Sequence, residues 1–74
     1  MSLSELEPGT RGVVAQIDAQ GAIRQRLLDM GLLPEVEVVV ERVAPSGDPI
    51  WIKLEGSQIA LRLKEAQAVR LTTS

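Results

Sequence analysis

The segment Arg26-Leu-Leu-Asp-Met-Gly-Leu-Leu-Pro34 constrains this chain more than any other, because it must end a helix and reverse the backbone within a few residues. Gly21–Met30 reads as the one good helix. At about 100° per residue, Ile23, Leu27 and Met30 fall within a stripe roughly 60° wide, with Arg24, Gln25, Arg26 and Asp29 outside it. Gly31 ends the helix, since glycine alone enters the left-handed region without a Cβ penalty. Leu32 is then expected to touch Leu27, the hydrophobic contact of a Schellman ending, and Pro34 forbids resumption of the helix.

Strands flank this joint. Leu3–Glu7 reads as a short helical turn or irregular lead-in, stopped by Pro8-Gly9. Thr10–Asp18 alternates as a first strand, with Gly12 marking a bulge or a close backbone approach. Val36–Val43 is a second strand, with Val36, Val38 and Val40 on one face. Its phase breaks at Arg42-Val43, where a bulge or a sharp bend would keep Val43 in the core. Ala44–Pro49 is a loop stiffened by two prolines.

Ile50–Glu55 and Gln58–Leu63 are expected to form a hairpin around a type II′ turn at Gly56-Ser57. That register sets Ile50, Ile52 and Leu54 against Leu63, Leu61 and Ile59, and Trp51 against Arg62. Lys64–Gln67 is a single helical turn and Val69–Leu71 a closing strand. The order predicts a mainly β fold: a small five-stranded SH3-like barrel with one short helix between strands 1 and 2, spanning residues 1–74 as a single domain.

Composition excludes several functions. The chain has no Cys, His or Tyr, so no disulfide or thiolate site holds it and no ordinary base or nucleophile is poised near neutral pH. It is expected not to be an enzyme. A formal net charge of -2 and a single Trp argue against a nucleic-acid groove, which needs a positive field and stacking aromatics. Gly47-Asp48-Pro49 lacks the pattern of a phosphate loop. No apolar run approaches the ~20 residues needed to span a bilayer, and the first residues do not read as a signal peptide.

The spacing of several residues carries a family resemblance. Leu3 and Leu6 precede Gly9; Gly12-Val13-Val14 comes next, and then Arg26, Leu27, Met30-Gly31-Leu32 and Pro34. Pro45, Gly47-Asp48-Pro49 and Ala60-Leu61-Arg62 leading to Glu65-Ala66 complete the set. The whole chain resembles the FeoA-type proteins of ferrous iron uptake, and similarly the SH3-like carboxy-terminal domain of iron- or manganese-dependent repressors. The resemblance implies a cytoplasmic accessory or regulatory protein that interacts with the cytosolic side of a FeoB-type G-protein-linked permease. It also implies recruitment to the inner face of the membrane by that partner. The alternative it implies is a metal-responsive regulatory domain akin to those of the repressors. No catalytic residue comes with the family. Glu35 departs from it, because the family usually carries Gly after the proline, suited to a type II turn. Either the turn is type I here, or Glu35 is strained.

The candidate site residues are few. Glu35, Glu37 and Glu41 alternate onto one strand face as weak metal-ligand candidates, but selective transition-metal sites favour imidazole or thiolate. They are read as a solvated acidic face; no metal or cofactor is expected, although Fe²⁺ or another divalent ion suits hard oxygen ligands. Leu28 and Leu33 form either part of a broad core face or an exposed patch at the helix end. Trp51 beside Arg62 forms either a cross-strand cation–π pair or an interface anchor. Arg24 and Arg26 are read as solvated rim charges. Leu28, Leu33, Trp51 and Arg62 are therefore the expected partner-binding residues, and self-association is left open.

Overall fold

A computed structural model describes residues 1–72. A 3₁₀ turn over Leu3–Glu5 leads into β1 (Arg11–Ile17), α1 (Gly21–Asp29), β2 (Glu37–Val43), β3 (Ile50–Leu54), β4 (Ser57–Leu61), α2 (Leu63–Ala68) and β5 (Val69–Thr72). The strands make one antiparallel sheet in the order β4-β3-β2-β1-β5. Its inner face, closed by Leu3, Leu27, Leu32 and Ala66, buries Val14, Val38, Val40, Ile52 and Leu61 in one aliphatic core.

The exit from α1 has Schellman geometry. Gly31 has φ +97°, its N–H donates to the Leu28 carbonyl at 3.0 Å, and the Leu32 N–H donates to the Leu27 carbonyl at 3.2 Å. These bonds satisfy carbonyls that a helix end otherwise leaves unpaired. Leu27 and Leu32 are both fully buried. A turn over residues 33–36 comes next, closed by Val36 N–H donating to the Leu33 carbonyl at 3.1 Å. Glu35 has φ +72°, so the turn is type II and Glu35 occupies the position that ordinarily takes glycine. Two bonds to β1 hold it there: Glu35 N–H to the Val14 carbonyl at 2.7 Å, and Val14 N–H to the Val36 carbonyl at 2.9 Å.

The irregularities of the strands also have causes. Gly12 is the close approach: a Cβ there would meet Leu71 Cδ1 at 2.9 Å. The register shift of β1 lies further on, between Val14 and Gln16. The bulge of β2 falls between Val40 and Arg42, just before the expected Arg42-Val43, and leaves Val43 packed against the core as expected.

Three expectations are corrected. The β3–β4 turn is Glu55-Gly56, with φ +46° and +84°, a type I′ pair rather than a type II′ turn at Gly56-Ser57. Ile50 therefore faces Leu61, Trp51 faces Ala60, and Arg62 lies beyond the strand. The α1 stripe is also broken, because Leu27 is buried and Met30 half-buried while Ile23 is 52% exposed. The helix docks through its carboxy-terminal end, and Ile23 projects towards α2. Arg26 is the third, corrected in part: its side chain is 61% exposed, as a solvated rim charge would be, but it also pairs with Glu65.

A single carboxylate joins the two helices. Glu65, 8% exposed, accepts from the Arg62 backbone N–H at 2.9 Å and pairs with Arg26 Nε at 3.0 Å. Asp48, from the loop before β3, grips the same end of α2: Oδ1 accepts from Leu63 N–H at 2.9 Å and Oδ2 pairs with Arg62 at 3.1 Å. The Asp48–Pro49 peptide bond within that loop is cis.

Urea unfolding of single variants tests these joints. Gly31→Ala places a Cβ in the left-handed region and 3.4 Å from Leu54 Cδ1, and should lose about 1–2 kcal/mol. Glu35→Gly removes the same kind of strain and should be neutral or stabilising by up to about 1 kcal/mol, because the greater chain entropy of glycine offsets part of the relief. A Glu35→Gly variant clearly less stable than the parent would refute the strain assigned to that turn. Glu65→Ala leaves the Arg62 N–H uncapped and Arg26 unpaired, and should cost about 1–3 kcal/mol. Arg26→Ala, at an exposed guanidinium, should cost no more than about 1 kcal/mol. Equal losses from the two would contradict the helix-capping role of Glu65.

Candidate functional site

The gap between α1 and α2 forms a concavity that both helices line. A cleft of about 360 Å³ is lined by Ile23, Asp48, Arg62, Leu63, Lys64, Glu65 and Gln67. A second, of about 350 Å³, is lined by Asp18, Ala19, Ile23, Lys64, Gln67 and Ala68. Ile23, Lys64 and Gln67 belong to both. The Arg26–Glu65 and Arg62–Asp48 pairs hold the flanking elements in place. The arrangement is an apolar floor, Ile23 and Leu63, under a charged rim. It carries no nucleophile or base of ordinary strength near neutral pH; chemically, it can hold an apolar side chain beside a polar group.

The expected partner residues do not converge on one place. Leu33 is 47% exposed in the segment after Gly31, whereas Leu28 is half-buried on α1. Of the four, Arg62 alone lines the cleft, and its guanidinium is engaged with Asp48. Trp51 is half-buried on the outer face of β3, and its cation partner is Arg42, 4.1 Å from the ring centroid, not Arg62. The β2 bulge brings Arg42 opposite Trp51. Such a pair contributes about 0.5–1 kcal/mol at an exposed site.

Two of the three glutamates have separate partners. Glu37 lies 3.9 Å from Arg11 across β1 and β2, and Glu41 accepts from Gln58 Nε2 at 2.5 Å. Glu35 and Glu37 line a separate cleft with Arg11, Gly12, Val13 and Thr72. Among the described residues, no group of three His, Cys, Asp or Glu side chains is arranged to hold a metal ion. No helix among them is long and apolar enough to cross a membrane.

Sequence reasoning missed Ile23 as a surface residue and missed the Arg26–Glu65–Asp48 framework. One signal was present: Glu65 stands three residues after Arg62, the spacing at which an acidic side chain reaches back to the backbone at a helix start. Nothing local marks Asp48 as a partner of a helix fifteen residues on.

Comparison with known proteins places this architecture. The Fe(2+) transport protein A/Fe(2+) transporter FeoB fusion protein of Porphyromonas gingivalis is 30% identical over 71 residues. The match covers 96% of this chain but 8% of that protein. A FeoA-like protein from Clostridium acetobutylicum, solved by NMR, superposes with a TM-score of 0.90 at 32% identity, covering 97% of this chain and 84% of that one. Stenotrophomonas maltophilia FeoA, a prokaryotic SH3 domain protein solved in complex with zinc, gives 0.86 at 33% identity, covering 97% and 89%. At fold level alone, T. acidophilum IdeR gives 0.87 at 21% identity, covering 100% of this chain and 34% of that one. The FeoA domain family model matches residues 1–73. With its SH3-like sheet and this match along nearly its whole length, the chain belongs to the FeoA family.

Proposed function

We propose that this chain is an accessory protein of ferrous iron uptake that acts by binding the cytosolic part of a FeoB-type permease. One observation carries the reading: in the P. gingivalis relative, a region matching nearly all of this chain is joined in one polypeptide to an Fe(2+) transporter FeoB. Covalent linkage supplies a high effective concentration, which is useful only if the two parts work together. The reading includes no catalytic step, since the side chains that usually act as base or nucleophile are absent. It includes no resident metal, since the chain offers only carboxylates as anionic ligands.

The binding energy comes from apolar side chains that the fold leaves uncovered. Ile23 and Leu33 stand near the two ends of α1, with Leu28 between them on the helix, and Trp51 supplies a rigid aromatic surface on β3. Arg62 belongs to the rim of the cleft that Ile23 shares.

Immobilised chain should retain detergent-solubilised FeoB-type permease, and removing the protein from cells should lower or deregulate ferrous uptake. No retention together with unchanged uptake would sink the proposal. Leu33→Ala and Trp51→Ala should each weaken retention, by about tenfold where the residue anchors the interface, while the variants stay folded. Unfolding on either change would make that residue part of the core instead. Anaerobic calorimetry with Fe²⁺ should show no tight saturable binding. A tight site abolished by Glu37→Ala would move the function from docking to metal sensing.

A further inference from the structure

The sheet ends in two edges, and the chain treats them differently. At β5 the edge is covered: Ser2 bridges Arg70, and Leu71 N–H donates to the Met1 carbonyl at 2.8 Å. At the other end β4 pairs with β3 alone, in unbroken register from Leu54↔Ser57 to Ile50↔Leu61. In a hairpin closed by a two-residue turn, the residues flanking the turn exchange both hydrogen bonds and the next pair exchanges none. Ser57, Ile59 and Leu61 therefore bond to β3, while Gln58 and Ala60 turn their N–H and C=O groups outward. Both are exposed, and among the described residues no other backbone group bonds to them. The strand Ser-Gln-Ile-Ala-Leu carries no charge, no proline and no bulge, the devices that usually keep a free edge from pairing.

We infer that this edge pairs with β4 of a second copy of the chain, antiparallel, across a two-fold axis at Ile59. In that register Gln58 of each copy faces Ala60 of the other, and each of these pairs exchanges two backbone bonds. No like charges meet. The ends of the strand carry opposite signs, Glu55 in the turn and Arg62 just beyond Leu61; Arg62 is paired with Asp48, but its side chain is 69% exposed and its guanidinium has further donors for a second carboxylate. Antiparallel apposition brings the Glu55 end of each copy to the Arg62 end of the other. That complementarity, repeated by the symmetry, selects a second copy over an unrelated strand. Pairing at this edge is independent of the transporter reading.

Sedimentation equilibrium of the intact chain tests it. A contact confined to one five-residue strand from each copy should fall short of the ~1,000 Å² of a stable interface, so reversible dimerisation with a dissociation constant on the order of 0.1–1 mM is expected. Ala60→Pro removes an outward N–H without removing a bond to β3, and Ala60→Lys places an ammonium group from each copy on the shared edge. Each should weaken the dimer by at least about tenfold, with circular dichroism and cooperative unfolding unchanged. If the proline variant does not fold, the lysine variant decides. A chain that stays monomeric at about 1 mM, or a dimer that survives Ala60→Lys, overturns the inference. So does a monomer that binds an unrelated extended peptide along Gln58 and Ala60.

Discussion

The way the chain leaves α1 governs most of the remaining fold. Gly31 in the left-handed region turns the backbone so that Leu32 returns to the same core as Leu27. Only then can Pro34 and Glu35 form the turn that brings Glu35 N–H and the Val36 carbonyl against Val14. Those two bonds set the start of β2 beside β1. They also account for a glutamate held at φ +72°: its cost, on the order of 1 kcal/mol, is offset by backbone bonds that a type I turn would aim elsewhere. With β2 placed, its bulge before Arg42 and the pairing with β3 carry the register outward to β4.

These joints were legible in the sequence because their causes are local. Glycine is favoured where φ is positive, proline stops a helix, and apolar alternation names a strand face. The β3–β4 hairpin shows where that legibility ends. Glu55-Gly56 and Gly56-Ser57 are both two-residue turns, and passing from one to the other slides the pairing by two residues. Alternation of period two is preserved by such a slide, so Ile50, Ile52 and Leu54 stay inward in either case. What separates the two is distant: Leu63 is needed as the first residue of α2, whose start is gripped by Asp48 and Glu65. The tertiary bond from Asp48, together with the local cap from Glu65, favours this register where alternation is silent.

The surface was less legible than the frame for a related reason. The residues that carry the family spacing, Gly31, Pro34, Asp48, Pro49 and Glu65 among them, serve architecture, so they identify the fold without naming a site. Arg62 illustrates the overlap. It looks like a partner for Trp51 on a face diagram, yet Asp48 engages it and the β2 bulge delivers Arg42 to the ring instead. Leu28 and Leu33, adjacent in apparent character, separate into half-buried and exposed because the left-handed glycine between them changes the direction of the chain.

α1 itself shows what the fold leaves over. A nine-residue helix is marginal in isolation, and this one buries a single side chain fully, Leu27. Its order comes from its carboxy-terminal end, through the Schellman bonds and the Arg26–Glu65 pair. Covering an aliphatic side chain such as Ile23 or Leu33 contributes about 1.5–3 kcal/mol when complete, and the isolated fold collects only part of it at either residue. The remainder is free energy available on association. It lies beside the element with the least apolar anchorage per residue, where a small adjustment on docking opposes binding least.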